Sequence, residues 1–283
     1  MKTYKTVKGL QRRLAMYMAQ KKRIGFVPTM GALHEGHLSL IQKSTSQNDI
    51  TVVSIFVNPT QFNDKSDLVK YPRTVKEDSK LLKSAGCSYL FLPTEKQVYP
   101  QGDSEGAELD ITELTKYMEG PNRPGHFEGV VQVVHRLLSI VKPSHLYMGQ
   151  KDFQQFTIIA HMLRTLKMKT KLVVCPIKRE DDGLAMSSRN VRLKKKIKTQ
   201  AKVLYETLAY VKDNQDKYTP ATLQKKALAR LSIPQFNPEY FVIADGHTLK
   251  PVKKMADHKY VVACTAVWAG KVRLIDNMIL KKG

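Results

Sequence analysis

The chain has 283 residues, 42% of them hydrophobic and 25% charged, which is material for one large or two ordinary domains with a substantial core. No uninterrupted apolar stretch approaches the roughly 18 residues needed to span a bilayer, and nothing like a signal-peptide core follows Met1-Lys2-Thr3-Tyr4-Lys5, so a cytoplasmic protein without a membrane partner is expected. The net charge of +22 divides into +10 over residues 1–177 and +12 over 178–283, and lysine runs such as Lys194-Lys195-Lys196 lack interleaved aromatics, which favours a basic surface over a specific nucleic-acid partner.

Residues 6–20 carry Val7, Leu10 and Leu14 at helical spacing between Lys and Arg and predict a first helix. Ile24-Gly25-Phe26-Val27 predicts a short buried strand that Pro28 stops, because proline has no N–H for a ladder. Gly31 and Gly36 allow tight backbone beside a ligand. From Gly36 the pattern of Leu38, Leu40 and Ile41 against Ser39, Gln42 and Lys43 opens a helix. Strand, glycine turn and helix N-terminus together predict free N–H groups and a partial positive charge facing outward, a site for phosphate. His34 and His37 stand three apart, which places both rings on one side of the opening turn, where two imidazoles can donate to phosphate oxygens as charge builds up. The pair also suits zinc, or two structural histidines beside a cap; no third ligand stands at recognisable spacing, so no protein-held metal is expected.

Residues 50–57 are rich in β-branched side chains and predict a second buried strand ending at Asn58-Pro59-Thr60-Gln61-Phe62, a turn that sets polar groups where open α/β sheets hold ligands. A helix over 75–85, stopped by Gly86, and a strand over 89–92 follow. Residues 94–127, with glycines at 102, 106, 120 and 125, predict a long irregular region of the kind that is functional or mobile. A helix over 129–141, a strand over 144–148, the turn Gly149-Gln150-Lys151-Asp152, a helix over 153–166 and a strand over 171–175 complete a βα alternation, which implies a parallel sheet with covered faces. After Pro176 the texture changes. A polar segment around 181–190, helical stretches near 193–213 and 219–231, and strands at 240–243, 260–264 and 272–275 suggest a smaller α+β domain, 178–283, after a first domain of 1–177. Cys87, Cys175 and Cys264 are odd in number and far apart, which predicts reduced thiols.

The segments 28–37, 57–62, Tyr71-Pro72-Arg73, Arg123-Pro124-Gly125-His126-Phe127, 149–155 and Met186-Ser187-Ser188-Arg189-Asn190, with Arg273-Leu274-Ile275-Asp276-Asn277 near the end, resemble in this order the pantoate–β-alanine ligase (pantothenate synthetase) family over nearly the whole chain. The resemblance implies an α/β fold: a Rossmann-like parallel-sheet domain of the His-x-Gly-His nucleotidyltransferase type, with a smaller α+β C-terminal lid domain, assembled as a homodimer. It implies joining of (R)-pantoate to β-alanine with ATP through a pantoyl adenylate, Mg²⁺ travelling on the nucleotide's phosphates. On that resemblance His34, His37 and Lys151 are catalytic, with His37 the proton donor. ATP is held by Met30, Gly31, Ala32, Leu33, His34, Glu35, Gly36 and His37, by Gly149, Gln150, Lys151 and Asp152, and by Lys178, Met186, Ser187, Ser188 and Arg189. Gln61 and Gln155 bind pantoate, and Gln61 also meets β-alanine. Lys178 stands where the family contacts adenine, mainly through backbone, and where an apolar residue is more usual. Two other readings compete: another His-x-Gly-His adenylyl or nucleotidyl transferase, and a non-catalytic nucleic-acid-binding protein driven by the +22 charge.

Overall fold

A computed structural model describes residues 1–62, 68–69, 71–100 and 109–283. The chain divides into two compact units. The first comprises Met1–Ile111, Arg123–Gly149 and Ile158–Pro176; the second comprises Thr112–Asn122, Gln150–Thr157 and Ile177–Gly283. The last segment of the second unit thus begins beside Pro176, but two earlier stretches join it.

The strands of the first unit are β1 (Lys2–Tyr4), β2 (Ile24–Thr29), β3 (Ile50–Ile55), β4 (Tyr89–Phe91), β5 (His145–Gly149) and β6 (Lys171–Cys175). They form one sheet in the order β1-β4-β3-β2-β5-β6, every pair parallel. From β2 the chain steps out through β3 to β4, then returns to β5 on the other side of β2. The reversal point therefore lies between β2 and β5, whose carboxyl ends carry the turn after Thr29 and Gly149. Parallel strands covered on both faces read as continuous apolar runs. In β2, Val27 packs with Leu38, Leu40 and Ile41 of α2 (Glu35–Gln47), while Phe26 is fully buried at an alternate position. Helix α1 (Val7–Ala19) is capped by the Thr6 side chain and buries Leu10 and Leu14. Helix α3 (Val75–Ser84) ends at Gly86, whose φ of +78° is the left-handed stop expected of glycine.

Three expectations need correction. Pro28 does not end β2; it pairs with Ser54, because β5 runs beside β2 only as far as Phe26, so no neighbour on that side asks the proline for an N–H. Strand β1 has no counterpart among the expected elements: three residues cannot display a period. The region 94–127 is not wholly irregular. It holds the single-turn helices α4 (Glu95–Val98), α5 (Thr112–Thr115) and α6 (Glu119–Asn122), and α7 (His126–Val141) opens at His126 behind Gly125 in the left-handed conformation; residues 101–108, with Gly102 and Gly106, lie outside the described residues. Helix α8 (Phe153–Thr165) crosses from the second unit into the first.

The second unit holds the antiparallel sheet of β7 (Phe236–Asp245), β8 (Tyr260–Ala269) and β9 (Val272–Lys282). The stretch expected to be helical near 193–213 is two helices, α9 (Lys195–Gln200) and α10 (Val203–Asp213), followed by α11 (Pro220–Leu231). Their apolar faces, including Leu204, Leu208, Leu223 and Leu231, share a core with Phe241, Val261, Val267 and Leu274 of the sheet. Cys87, Cys175 and Cys264 are free and buried. Among the described residues no helix is long and apolar enough to cross a membrane.

Candidate active site

The turn between β2 and α2 takes its shape from two consecutive left-handed residues, Gly31 at φ +85° and Ala32 at φ +50°. Such a pair turns successive N–H groups toward one side and makes a small concavity for an anion. Here the anion is the protein's own. The carboxylate of Asp78, a buried residue of α3, accepts from the N–H of Ala32 (3.0 Å) and of Leu33 (2.8 Å), and from the Thr74 hydroxyl (3.2 Å). The Thr29 hydroxyl oxygen accepts from the Gly31 N–H at 3.2 Å.

His34 is the N-cap of α2 and His37 its third helical residue. The Gly36 N–H donates to His34 Nδ1 (3.1 Å) and the His34 N–H donates to His37 Nδ1 (3.3 Å), a capping box built from imidazoles. The ring centroids lie 4.1 Å apart. A nitrogen that accepts from a backbone donor carries no proton, so each neutral ring is protonated at Nε2, and any donation from these rings comes from Nε2–H. The structure thus brings the two histidines together as expected but corrects the phosphate argument. The N–H groups of residues 31–34, 36 and 37 are already occupied, those of Ala32 and Leu33 by Asp78 and the rest within the turn. What distinguishes the turn is a pair of oriented imidazoles.

Gln61 ends a 3₁₀ turn, Pro59–Gln61, beyond β3. Its Nε2 donates to the Met30 sulfur at 3.0 Å, which joins the expected pantoate residue to the first expected ATP residue. Two buried partners hold the turn. Asn58 Nδ2 donates to the Gly129 carbonyl of α7 at 3.1 Å, and Asn58 Oδ1 accepts from the Tyr99 hydroxyl at 3.1 Å. His126 Nδ1 lies 2.8 Å from the Gln61 carbonyl. The approach of α7 is close: a Cβ on Gly129 would sit 2.5 Å from the Thr60 carbonyl oxygen and 2.8 Å from Gln61 Cα.

The second unit holds the other expected residues. Lys151 lies in the turn before α8, its side chain 20% exposed and its ammonium 3.8 Å from the exposed Asp152 carboxylate. Gln155 is half-buried on the first turn of α8, while its neighbour Gln154 is buried and structural, donating to the carbonyls of Leu114 (2.7 Å) and Tyr117 (3.0 Å). Lys178 opens a small hairpin: its carbonyl accepts from the Met186 N–H at 3.0 Å, Arg179 bridges Ala185, and Gly183 turns the corner at φ +91°. Ser187 Oγ then accepts from the Arg189 N–H at 3.2 Å, a local cap.

Strand β9 supplies what the sequence alone leaves without a role. Arg273 forks onto Glu119 (2.7 and 2.8 Å) and also pairs with Glu239, while the Tyr240 hydroxyl donates to Glu119 at 2.8 Å. Burial alone would lower the Arg273 pKa; the two carboxylates outweigh it and raise it. Burial, the Glu119 charge and the hydrogen bond raise Tyr240 well above an ordinary phenol. Asp276 receives both ends of the Arg179 guanidinium (2.7 and 3.0 Å); even so, burial leaves its carboxyl above the usual carboxylate range. Asn58, Asp78, Glu119 and Asn277 do not stand out in the sequence as site residues. Asn58 and Asn277 lie inside the motifs that carry the resemblance; Asp78 and Glu119 give no local signal, because their partners are 45 and 154 residues away.

A parallel sheet with a reversal point, a strand–turn–helix element carrying two oriented imidazoles, and a separate antiparallel unit define a Rossmann-like α/β enzyme of the His-x-Gly-His type. The family described as pantoate-beta-alanine ligase matches residues 2–279, and the chain belongs to it. A Bacteroides fragilis protein named pantothenate synthetase is 47% identical over 283 residues, the full length of both chains. The crystal structure of pantothenate synthetase from Thermus thermophilus superposes with a TM-score of 0.92 at 36% identity, over 99% of this chain and 100% of that one. The pantoate-beta-alanine ligase of Francisella tularensis, solved in complex with beta-gamma ATP and beta-alanine, gives 0.82 at 37% identity, over 100% of this chain and 99% of that one. The chain is accordingly an ATP-dependent ligase of this family.

Proposed function

We propose that this chain joins (R)-pantoate to β-alanine in two steps, and the observation that carries the reading is the imidazole capping box at the head of α2. A free carboxylate does not acylate an amine at neutral pH, because oxide is too poor a leaving group. In the first step a pantoate carboxylate oxygen attacks the α-phosphorus of ATP, the bond to the bridging oxygen breaks, and pyrophosphate leaves with the electron pair. In the second, the amine of β-alanine attacks the acyl carbon of pantoyl adenylate, AMP departs with its oxygen, and the amine proton is lost.

Charge grows on the leaving phosphates, so catalysis is positioning plus donation from fixed N–H groups. His34 and His37 donate through Nε2–H, and His37 supplies the proton. Lys151 meets phosphate as a point charge. Residues 30–37, Gly149, Gln150 and Asp152, Lys178, and Met186, Ser187, Ser188 and Arg189 complete the ATP contacts, with Asp152 on the ribose. The residues of 178–283 act as a lid that keeps water from the adenylate. Gln61 and Gln155 orient pantoate, and Gln61 also meets β-alanine. A neutral amide suits this role, since it donates and accepts without drawing charge from the attacking oxygen as an arginine would. Mg²⁺ travels with the nucleotide, held mainly by its phosphates. A cytoplasmic homodimer belongs to the same reading.

The test is isotope exchange between pyrophosphate and ATP. Exchange should require pantoate and not β-alanine; in a folded protein His37→Ala should abolish it, and Lys151→Ala should cut it by about 100- to 1000-fold. Exchange driven by an amino acid instead of pantoate refutes the substrate assignment.

A further inference from the structure

Two neighbouring side chains of β9 reach both segments that the proposed function assigns to the nucleotide in the second unit. Asn277 is 1% exposed. Its single amide nitrogen donates to two consecutive carbonyls, those of Gln150 (3.0 Å) and Lys151 (2.9 Å), and its Oδ1 accepts from Gln150 Nε2 at 3.1 Å. In extended chain consecutive carbonyls point to opposite sides, so one NH₂ group can serve both only where the backbone turns. Residues 150 and 151 are in a turn, and Asn277 uses both amide protons to hold it. No other side chain of this size offers two donors on one nitrogen together with an acceptor.

Asp276 is the second half of the device. The Asn277 N–H donates to Asp276 Oδ1 at 2.7 Å, and the same carboxylate receives the Arg179 fork. Arg179 also donates to the Asn277 carbonyl (3.3 Å) and to the Gly183 carbonyl (3.0 Å). The hairpin that leads from Lys178 to Ser187 is therefore tied to the same dipeptide that shapes the Lys151 turn. Neither β9 side chain has exposure enough to meet a substrate itself, at 3% and 1%.

We propose that Asn277 is a positioning residue for adenylate formation: by fixing the backbone at Gln150 and Lys151 it sets the place of the Lys151 ammonium, while Asp276 registers the Lys178–Ser187 segment against it. This rests on the phosphate-binding role given to Lys151 above. Displacing a charged group by about 1 Å from its productive place costs about 100-fold in rate.

Pantoate-dependent pyrophosphate exchange with the full chain tests it, in wild type, Asn277→Asp, Lys151→Ala and the double variant. Asn277→Asp keeps the shape but removes both donors. It should slow exchange by up to about 100-fold at saturating substrate, the scale of a ~1 Å misplacement, with the KM for pantoate unchanged. In the Lys151→Ala background the same change should add no further loss, because there is no ammonium left to misplace. Should Asn277→Asp fail to fold, Asn277→Ser, which retains one donor, is carried through the same cycle with the same expectation. Losses that multiply in the double variant, or wild-type exchange in the folded Asn277 variant, overturn the proposal while leaving the Lys151 role intact. Wild-type exchange in Lys151→Ala removes that role and this proposal together.

Discussion

Replacing Asp78 with asparagine is the sharpest test of how the histidine turn is held. Asp78 is 1% exposed, and its two carboxylate oxygens accept from the N–H of Ala32 and Leu33 at 3.0 and 2.8 Å. Hydrogen bonds to a charged partner contribute roughly 1.5–3 kcal/mol each. Asparagine can accept one of the two and must turn its NH₂ toward the other N–H, so one bond is lost and two donors are forced together. The expected cost is about 2–3 kcal/mol in Asp78→Asn and about 3–6 kcal/mol in Asp78→Ala, where both bonds go. Gly31 and Ala32 are then free to leave the left-handed region, and His34 and His37 follow. Urea unfolding measures the first effect. Pyrophosphate exchange measures the second, expected to fall at least about 100-fold in Asp78→Asn, since misplacing a reacting group by an ångström has that effect. An Asp78→Asn protein with unchanged unfolding midpoint and unchanged exchange would refute the idea that this carboxylate organises the turn.

Gly129→Ala should push the turn that bears Gln61, because the new Cβ meets the Thr60 carbonyl at 2.5 Å; the KM for pantoate should rise about 10-fold with that for ATP unchanged, and equal rises in both would argue against it. Arg273→Met strands the Glu119 and Glu239 carboxylates and should cost about 3–5 kcal/mol; urea unfolding measures it, and an unchanged midpoint would contradict it. Burial pushes the Cys87 thiol up to about 12 and raises Cys175 and Cys264 as well. Ellman's reagent at pH 8 should find the thiols only after unfolding. Above pH 9 the unfolded chain ionises thiols that the native state keeps protonated, so stability should fall with rising pH by about 1.4 kcal/mol per unit for each such group.

The sheet was legible because buried parallel strands announce themselves as runs such as Thr51-Val52-Val53, and because Gly86 and Pro143 punctuate the helices between them. Single-turn helices such as α4 are too short to show a period, and β1 has the same difficulty. The histidine pair was legible as a spacing. Its tautomers were not, because these depend on which backbone N–H meets which ring nitrogen. The occupant of the nest at Gly31 and Ala32 was hidden for a similar reason: local reading sees the donors, whereas Asp78 arrives from another helix. Asn277 stands in a motif, yet what it does is visible only when the strand is laid beside the Lys151 turn.

The way the chain is shared between its two units bears on any attempt to cut it in two. The backbone passes from one unit to the other five times, at residues 111–112, 122–123, 149–150, 157–158 and 176–177. A gene severed at Pro176 would yield a C-terminal fragment without Glu119 for Arg273 and without the Lys151 turn for Asn277. Such a fragment would carry a guanidinium stripped of one of its two carboxylates and an amide with no carbonyls to hold. Co-expression of the two pieces, with reassembly in the cell, is the form in which a split version of this ligase would function.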